Sequence, residues 1–503
     1  MFTLRNSGET RKLYVNINPQ IYHMCFMSAQ NEGRRRIVIP QKPPMFCMLL
    51  RKYLENSKIY KVSQPDGERI FEIYAQTYNE LNEKIYLCLA VELMGKHSNV
   101  ILYNTSNGLI LGCAHNVGAE KSREREVSGT LPYVYPPKQD KTDILTYNGT
   151  VDYENLSKYF YDFSKSFERQ CKGKSLAELK SYVRLENVNP AISEDFKEFS
   201  LFEELLPVAI FQKSVSSMID NYFTHYQELE LFKGLKTRLL TLTHQRLKRT
   251  NASIEKMQSQ ILREENCDKY RLFGDLIMAN LYQNRDYSAN VAVFDYENGR
   301  NITIEIDETK TLKENANKFY KLYNKGKTSR QKLTELKSEL EGTKSWLEHV
   351  EFSLTNAKTY EDLLEIKPEL IEETQVGTKQ ATQIGTKSPV KKAIEPEKII
   401  VDETTTIYIG KNNRQNDYIV SKLAKDEDLW FHTRDCAGSH ILLRTQTPTD
   451  ELILRCAKLA KEYSAGGSSS KVGVIYTKAK YLKKPPKANL GYVIYKNEKE
   501  IVV

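Results

Sequence analysis

The 503-residue sequence lacks the features that would place it in a membrane or outside the cell. No apolar run reaches about 18 residues, the length that a membrane-crossing helix needs. The first residues, Met1–Arg11, lack the apolar core of a secretory signal peptide. The eight cysteines are scattered and none forms a Cys-x-x-Cys pair, which predicts free thiols in a reducing compartment. We therefore expect a cytoplasmic protein with no membrane partner.

The sequence also lacks the short motifs of the common hydrolases. It contains no Walker loop, no Gly-x-Gly-x-x-Gly, no His-Glu-x-x-His and no Gly-x-Ser-x-Gly. Such motifs supply a phosphate cradle, zinc ligands or a nucleophile, so their absence argues against a nucleotide hydrolase, a zinc protease or a serine hydrolase. We expect no catalytic residue, no cofactor and no metal site.

The composition is that of a folded, slightly basic protein. Hydrophobic residues make up 40% and aromatic residues 10% of the chain, which excludes disorder throughout. Lys and Arg total 74 against 65 Asp and Glu, so the net charge is +9 and an anionic partner is favoured over a cationic one. The chain is too long for a single hydrophobic core, and we expect three or four units.

The first 140 residues show the pattern of a small α+β domain. Polar and apolar residues alternate over Lys12–Ile17, which predicts a half-buried strand. Two prolines precede Met45–Leu54 and predict that a helix begins there. Asn107–Gly108 predicts a hairpin turn between two strands. The further predicted strands are Arg69–Tyr74, Lys84–Glu92, Val100–Tyr103 and Leu109–Cys113.

Helical patterns dominate residues 150–371. Residues 150–210 predict short helices, one of them over Ser175–Leu185. Two later runs of apolar residues repeat every seven residues, which predicts an antiparallel coiled-coil arm over 211–371, with an ordinary helical bundle as the alternative. Between the runs, a helix around Tyr270–Tyr282 and a hairpin predict a small insert at the tip, 268–312. The hairpin strands and their turn are Val291–Phe294, Ile302–Ile306 and Glu297–Gly299. The heptad residues are Leu240, Leu247, Ile254 and Ile261, then Leu333, Leu340, Leu347 and Leu354, with Leu336 and Val350 in the second seam position.

The end of the chain combines a linker with a basic domain. Residues 372–396 contain two nearly identical six-residue repeats, which predict a flexible linker. Residues 397–503 alternate strand and helix patterns, with a helix over Leu452–Tyr463. Lys and Arg number 18 there against 13 Asp and Glu, so this domain carries +5 of the net +9. The predicted strands are Ile407–Ile409, Ile441–Leu443, Val472–Tyr476 and Tyr492–Tyr495.

The segment Asp428–His440 concentrates aromatic and hydrogen-bonding side chains. Trp430 offers a stacking surface, and His432 and His440 offer donors. His432, Cys436 and His440 are spaced by four residues, which brings side chains together on a helix but not on the strand–turn–strand predicted here. A metal site is therefore not expected, and a structural capping role for the histidines is the alternative to ligand contacts.

Two further segments of the C-terminal domain suit a polyanion. Gly410–Asp417 is rich in side-chain amides and carries Lys411 and Arg414, groups that contact phosphate and sugar. Tyr476–Lys487 has five lysines, two tyrosines and no acidic residue, which suits an RNA backbone with stacked bases. Each segment also fits a solvated loop.

The first domain has its own candidate residues. Arg34–Arg36 forms a basic cluster, and Gly95 predicts a turn. Glu68 and Arg69 are adjacent, and by themselves they indicate only an exposed ion pair. The possible phosphate donors after the turn are Lys96, His97, Ser98 and Asn99.

Together these segments resemble the NFACT family. The resemblance covers nearly the whole chain, and the segments occur in the family's order. It implies an α+β multidomain protein with an N-terminal α+β NFACT-N domain (1–140), a helix-hairpin-helix-like segment (150–210), the coiled-coil arm with its small tip domain, and a C-terminal α/β NFACT-R domain (397–503). The matching segments are Pro43–Lys52, Glu92–Asn99, Leu272–Tyr282, Gly410–Asn416 and Asp428–His440.

The resemblance also implies a function. NFACT proteins bind obstructed large ribosomal subunits that carry peptidyl-tRNA, and they recruit alanyl-tRNA for template-free alanine tailing of the stalled chain. The ribosome makes the peptide bonds, so the resemblance implies a protein that positions tRNA and ribosomal RNA and is not itself an enzyme. Other members have roughly 45 more residues before Lys12, so we expect the NFACT-N domain to be N-terminally shortened.

The resemblance assigns roles to individual residues. The family's tRNA-contacting Asp-Arg pair matches Glu68 and Arg69, where the acid is one methylene longer, and the tRNA surface would continue to Lys96, His97, Ser98 and Asn99. The residues matched to an RNA-binding surface of NFACT-R are Lys411, Asn413, Arg414, Trp430, His432 and His440. Two rival functions are a fibronectin-binding surface adhesin, against which the absent signal peptide argues, and a glycosylase-like nucleic-acid enzyme.

Overall fold

The computed structural model divides the chain into two compact units, Met1–Leu231 and Phe232–Val503. No helix in the described part of the chain is both long and apolar enough to cross a membrane. The structure describes residues 1–503 except 36, 38–39, 121, 153, 283–288, 296–297, 372–394, 435 and 487.

The first unit begins with two antiparallel sheets that share a core. The sheets have the strand orders β1-β2-β3 and β4-β5-β6-β7-β8. Helix α2 packs Phe46 and Leu49 against Leu87 and Leu102 of the five-stranded sheet, and Leu13 of β2 joins the same core. The elements are β1 (Phe2–Asn6), β2 (Glu9–Asn16), β3 (His23–Met27), α1 (Ala29–Arg34), α2 (Met45–Leu54), β4 (Lys58–Ser63), β5 (Ile70–Tyr78), β6 (Lys84–Glu92), a 3₁₀ turn (Gly95–His97), β7 (Asn99–Asn104) and β8 (Ile110–Cys113).

Most sequence predictions for this region are confirmed. The helix Met45–Leu54 and the strand Lys84–Glu92 have the predicted bounds. The Asn107–Gly108 turn joins β7 to β8, with Gly108 at φ +72°, where a side chain would be strained. Strands β1, β3 and β4 were not predicted.

The second part of this unit mixes short helices with a small sheet. The helix predicted over Ser175–Leu185 is confirmed as α5, whose N-terminus has a capping box made by Ser175 and Glu178. The prediction of a helix-hairpin-helix-like segment over 150–210 is wrong for its second part, where three short strands form an antiparallel sheet in the order β10-β9-β11. The elements are α3 (Leu156–Tyr159), α4 (Lys165–Gln170), α5 (Leu176–Val183), β9 (Ala191–Ser193), β10 (Phe199–Ser200) and β11 (Ala209–Phe211).

Two long helices follow, α6 (Val215–Glu265) and α8 (Leu312–Asn356), and the boundary between the units falls within α6. In the second unit they run antiparallel: Lys236 donates to the Thr355 carbonyl at 2.6 Å, His244 contacts Glu351 at 2.7 Å, and Ser329 lies 3.5 Å from Glu264. Buried Leu239, Leu347, Val350 and Leu354 share a core with α9 (Tyr360–Ile371). These contacts agree with an antiparallel pair, and the coiled-coil geometry stays a prediction.

One heptad assignment is wrong. Leu336 is 45% exposed and does not fill the seam. Its neighbour Lys337 takes the inward position and donates to Gln258 of α6. A long lysine side chain can do this because its methylenes pack while its charged end reaches a polar partner.

The predicted insert between the long helices is confirmed in its elements. Helix α7 (Asp268–Ala279) and the hairpin of β12 (Asn290–Asp295) and β13 (Arg300–Glu305) pack on the first turns of α8. Gly299, at φ +62°, donates to the Asp295 carbonyl at 2.9 Å and closes the hairpin. Position 297 of the predicted turn lies outside the described residues.

The C-terminal domain is a six-stranded sheet in the order β14-β15-β17-β16-β18-β19, antiparallel throughout. Helix α11 covers one face through Cys456, Ala457 and Ala460. The elements are β14 (Glu397–Ile400), β15 (Thr406–Ile409), α10 (Asn413–Tyr418), a π-helical turn (Ile419–Leu423), β16 (Leu429–Thr433), β17 (Ile441–Arg444), α11 (Asp450–Glu462), β18 (Gly473–Lys478), a 3₁₀ turn (Ala479–Tyr481) and β19 (Lys499–Val502).

The strand predicted over Tyr492–Tyr495 is wrong. Within this segment, Ile494 alone pairs with another part of the chain as a β-bridge, and its partner is Lys483. The chain beyond Lys483 continues into Pro485–Pro486, which cannot donate ladder hydrogen bonds. The predicted linker, 372–396, lies outside the described residues apart from its last two positions.

Candidate nucleic-acid interface

Arg69 lies immediately before β5 and has an exposed side chain. Its Nη1 donates to the Tyr22 hydroxyl at 3.2 Å, and its backbone carbonyl accepts from the Leu93 amide at 2.9 Å. It lines a cavity of about 560 Å³ together with Tyr22, Gln64, Phe71 and other residues of the first unit. Arg69 is therefore held at the backbone while its guanidinium can reach a ligand.

Glu68 does not form the exposed ion pair that its position beside Arg69 indicates. Its side chain is buried, and no ion pair joins the two residues in the part of the chain that the structure describes. Its carbonyl accepts from Gln64 Nε2 at 2.8 Å, and its amide donates to Pro65 at 3.1 Å. Successive residues of an extended chain point to opposite sides, which separates the two side chains. The role of Glu68 in tRNA binding stays a prediction.

The four residues after Gly95 divide into two pairs. Lys96 and His97 are exposed. Ser98 is buried and accepts from the Met94 amide at 2.9 Å, while Asn99 is buried and donates to the His115 carbonyl at 2.8 Å. The expectation that Ser98 and Asn99 offer donors to phosphate is corrected, because Ser98 holds the turn and Asn99 joins the start of β7 to His115.

The turn and Arg69 meet at one tyrosine. A side chain at Gly95, which has φ +61°, would lie 3.7 Å from the Tyr22 ring, and Arg69 donates to the hydroxyl of that ring. The structure therefore brings together the turn that carries Lys96 and His97 and the guanidinium of Arg69. Tyr22 was not a predicted site residue, since a single tyrosine in a loop carries no recognisable pattern.

The basic cluster expected at Arg34–Arg36 is directed inward. The Arg35 guanidinium is fully buried, pairs with Asp220 at 3.0 Å and donates to Thr224 at 2.8 Å. Arg34 pairs with Glu228 at 2.6 Å. The charges of Arg34 and Arg35 therefore link α1 to α6, which corrects the expectation, and position 36 lies outside the described residues.

In the C-terminal domain, His432 and His440 lie side by side. Phe431 pairs with Ile441 across β16 and β17, so the next positions, His432 and His440, face each other with ring centroids 5.2 Å apart. The expectation that their spacing keeps them apart is wrong, because a hairpin brings residues eight apart into register. No group of three potential ligands is arranged to hold a metal ion in the described ranges.

A third histidine joins from the long helix. His349 of α8 stacks on His432 with ring centroids 5.6 Å apart. Burial lowers the pKa of His349 to about 3 and that of His432 to about 4, and it lowers the pKa of His440 well below its usual value. All three rings are therefore neutral at pH 7. His349 was not predicted, since only the fold brings α8 to this sheet.

Trp430 cannot stack on a base from an exposed position. It is 1% exposed and packs with Ile419, Leu442 and Ile475 in a core on the other face of the sheet from α11. Its ring contacts those of His432 and His440, at centroid distances of 5.8 and 5.1 Å. The predicted stacking surface is corrected to a buried aromatic group.

The amides of Gly410–Asp417 are used within the protein. Asn412 caps α10, Asn413 is buried and donates to Glu369 of α9 at 3.2 Å, and Gln415 donates to Glu365 at 2.8 Å. The expectation that Asn413 contacts RNA at a surface is therefore corrected.

The cations around α10 and β18 are accessible and partly paired. Lys411 is exposed and pairs with Glu397 at 2.8 Å, and Arg414 is half-buried. Lys478 and Lys480 share Glu427 at 2.6 and 2.7 Å. Because two of its lysines pair with Glu427, the basic segment Tyr476–Lys487 presents less net positive charge than its sequence indicates. Position 487 of this segment lies outside the described residues.

Comparison with known proteins assigns the family. A family model described as the NFACT N-terminal and middle domains matches residues 1–174 and 149–388. The chain belongs to the NFACT family. A second NFACT model, described as the NFACT protein RNA binding domain, matches residues 399–497. The α+β multidomain fold class predicted from the sequence is confirmed: the chain has an NFACT-N domain, a long helical segment and an NFACT-R domain that is rich in sheet.

Relatives of this NFACT protein match along its whole length. The chain is 28% identical to the Rqc2 homolog RqcH of Bacillus subtilis, covering 100% of this chain and 92% of the relative. It is 28% identical to the RqcH of Streptococcus pneumoniae strain D39, covering 99% of this chain and 91% of the relative. Among solved structures, the C-terminal part of the fibronectin/fibrinogen-binding protein from Streptococcus suis has 27% identity and a TM-score of 0.42, covering 54% of this chain and 94% of that one.

Proposed function

We propose that this NFACT protein is a cytoplasmic ribosome quality-control factor. It binds obstructed large ribosomal subunits that carry peptidyl-tRNA and recruits alanyl-tRNA for template-free C-terminal alanine tailing. The observation that carries the proposal is the match to RqcH proteins over the whole chain, with an RNA-binding domain model at its end. The net charge of +9 suits ribosomal RNA and tRNA as partners.

Within this proposal, the first unit contacts tRNA. Arg69, Lys96 and His97 are exposed around Tyr22, so their cationic or hydrogen-bonding ends can approach a phosphate backbone. Arginine suits phosphate because its planar fork donates two parallel hydrogen bonds. Lys411, Arg414 and the exposed Lys483 supply positive charge on the C-terminal domain.

The protein itself performs no covalent chemistry in this proposal. The buried histidines are neutral and face one another, and we assign no nucleophile to the Arg69 surface. The ribosome supplies the peptide-bond chemistry while this chain positions tRNA.

Reconstitution with purified components tests the function. The full chain is mixed with large subunits that carry peptidyl-tRNA, with vacant large subunits, and with alanyl-tRNA. We expect co-sedimentation with the peptidyl-tRNA-bearing subunits and a nascent chain lengthened by alanine. Equal binding to vacant subunits, or a nascent chain that stays the same length, would contradict the proposal.

A further inference from the structure

A second cavity lies within the second unit, between α8 and the C-terminal sheet. It has a volume of about 320 Å³. Trp346 and His349 of α8 line one side, and Trp430, His432 and His440 line another. A loop from Asn489 to Tyr495 completes the wall. This volume is near the lower end of ligand pockets, which suits one small ring system and excludes a duplex.

The wall of this cavity contains polar atoms that the protein leaves unpaired. Trp430 is 1% exposed and His440 3% exposed. Among the described residues, the Trp430 Nε1, the His440 Nδ1 and the His432 Nε2 have no hydrogen-bond partner. Buried polar atoms without partners are rare in folded proteins because each loses its hydration. These three atoms have almost no accessible surface, so a ligand in the cavity supplies the missing partners once the adjacent rings turn toward it.

The chemistry of these three groups limits the ligand. An indole N–H only donates, and a neutral imidazole has one N–H and one lone pair. Burial lowers the pKa of His432 and His440, so both rings are uncharged at pH 7. A charged ligand group would lose its hydration here without a counter-charge. An uncharged ring edge with neighbouring donors and acceptors fits, and nucleobase edges have this pattern.

The mouth of the cavity has groups suited to the rest of a nucleotide. Tyr492 is 50% exposed, so its ring can stack on a base or pack against a ribose. Arg434 is exposed at the cavity and pairs with Glu500 at the surface. The lining also contains Glu348, which pairs with Lys344 at 3.9 Å. The cation Arg434 and the uncharged rings in the same lining match the polarity of a nucleotide.

We propose that this cavity binds a single unpaired nucleotide, with its base directed at Trp430 and His440 and its phosphate toward Arg434. The inference builds on the RNA-binding role proposed above. An unpaired base of an RNA strand and a free mononucleotide share this chemistry, and the experiment separates them.

The chain contains two tryptophans, Trp346 and Trp430, and both line this cavity. Intrinsic fluorescence of the full-length protein therefore reports on the site. We expect a saturable change in emission with a short single-stranded RNA and little change with the same sequence in a duplex. Binding of the same RNA is measured in parallel by the anisotropy of a label on the RNA.

Two variants and a matched control test the contacts. Tyr492→Ala removes the exposed ring and should weaken single-stranded RNA binding roughly tenfold, the scale of one base stacked on one aromatic ring. Trp430→Phe removes the indole N–H, and the emission of Trp346 then reports binding. Leu454→Ala shortens an exposed side chain of α11, which packs on the other face of the sheet from Trp430, and it should bind like the wild type.

The outcomes separate this inference from the proposed function. RNA that binds by anisotropy without changing tryptophan emission, or a Tyr492→Ala variant that binds RNA as well as Leu454→Ala, overturns the cavity assignment and leaves RNA binding intact. Absence of any RNA binding overturns the proposed function. An emission change with mononucleotides but not with single-stranded RNA supports the cavity chemistry and overturns RNA as its source.

Discussion

Arg69 and Arg35 carry the same charge, yet only Arg69 can reach a ligand. Arg35 is enclosed by Asp220, Thr224 and the ring of Tyr14, whose centroid lies 4.4 Å from the guanidinium carbon. The Arg69 side chain donates to the Tyr22 hydroxyl at 3.2 Å and is otherwise accessible. At the scale of single residues, burial therefore separates structural cations from candidate RNA contacts.

Arg69→Ala should lower the amount of tRNA that co-purifies with large subunits and this protein. The contact with the subunit itself should remain, since we propose that other cations, on the C-terminal domain, make it. Because Arg69 is exposed, the free energy of unfolding should change by less than about 0.5 kcal/mol. Quantifying tRNA in sedimented complexes measures the effect, and Arg123→Ala, an exposed arginine in the same unit, is the control. Unchanged tRNA occupancy would contradict the assignment.

Glu369 provides a pH-dependent prediction. It is buried, accepts from Asn413, and burial raises its pKa to about 7. Between pH 4.5, its ordinary pKa, and about 7, the folded state holds a proton that the unfolded state has released, so its contribution to stability falls as pH rises.

Glu369→Gln removes this titration and keeps an acceptor for Asn413. We expect the variant to gain up to about 3 kcal/mol relative to the wild type at about pH 8, and much less at about pH 5. Urea unfolding at both pH values measures the difference. Glu308→Gln, at an exposed glutamate of the same unit, is the control. A stability difference that is the same at both pH values would refute the role of Glu369.

At the scale of secondary-structure elements, the pairing of β16 with β17 determines which histidine side chains lie next to each other. Their antiparallel register brings the position after Phe431 opposite the one before Ile441. A shift by one residue would send these side chains to the opposite face. The C-terminal cavity therefore depends on strand pairing as much as on the residues that line it.

The attachment of α1 to α6 depends on a buried ion pair. Asp220→Ala should cost about 3–5 kcal/mol, because it leaves the Arg35 charge buried without a partner. The same two helices offer a matched control in Arg34 and Glu228, a partly exposed pair, where Glu228→Ala should cost less than about 1 kcal/mol. Denaturant unfolding of both variants measures the two losses in the free energy of unfolding. Equal losses would show that burial of the Arg35–Asp220 pair does not raise the cost of removing its acidic partner.

At the scale of the whole molecule, charge rather than any single contact should govern association with RNA. The net charge is +9, and +5 of it lies in residues 397–503. Each neutralised phosphate releases a counterion, so affinity falls as salt rises.

We therefore expect binding to large subunits to weaken steeply between about 50 and 200 mM salt. Sedimentation or fluorescence titrations across this range give the slope of affinity against salt concentration. Sucrose at equal osmolality is the control, since it adds no ions. Affinity that is independent of salt would contradict an RNA-backbone interface.

Local patterns predicted much of the fold. The helix Met45–Leu54, the strand Lys84–Glu92 and the hairpin turn at Gly108 follow from helix-start signals, apolar runs and turn residues, which act over a few neighbours. Strand β4 was missed because nearly all of its side chains are exposed, so it shows no alternation of buried and exposed residues.

The sequence by itself determined the family, the order of the domains and the positive charge, since these depend on residue identity and spacing. Tertiary structure alone decided which polar residues are available. It buried Asn413 and Trp430, paired Arg35 with Asp220 and brought His349 to His432. The physical reason is that burial and hydrogen-bond partners come from residues distant in the chain, and only the folded packing of helices and sheets brings them together.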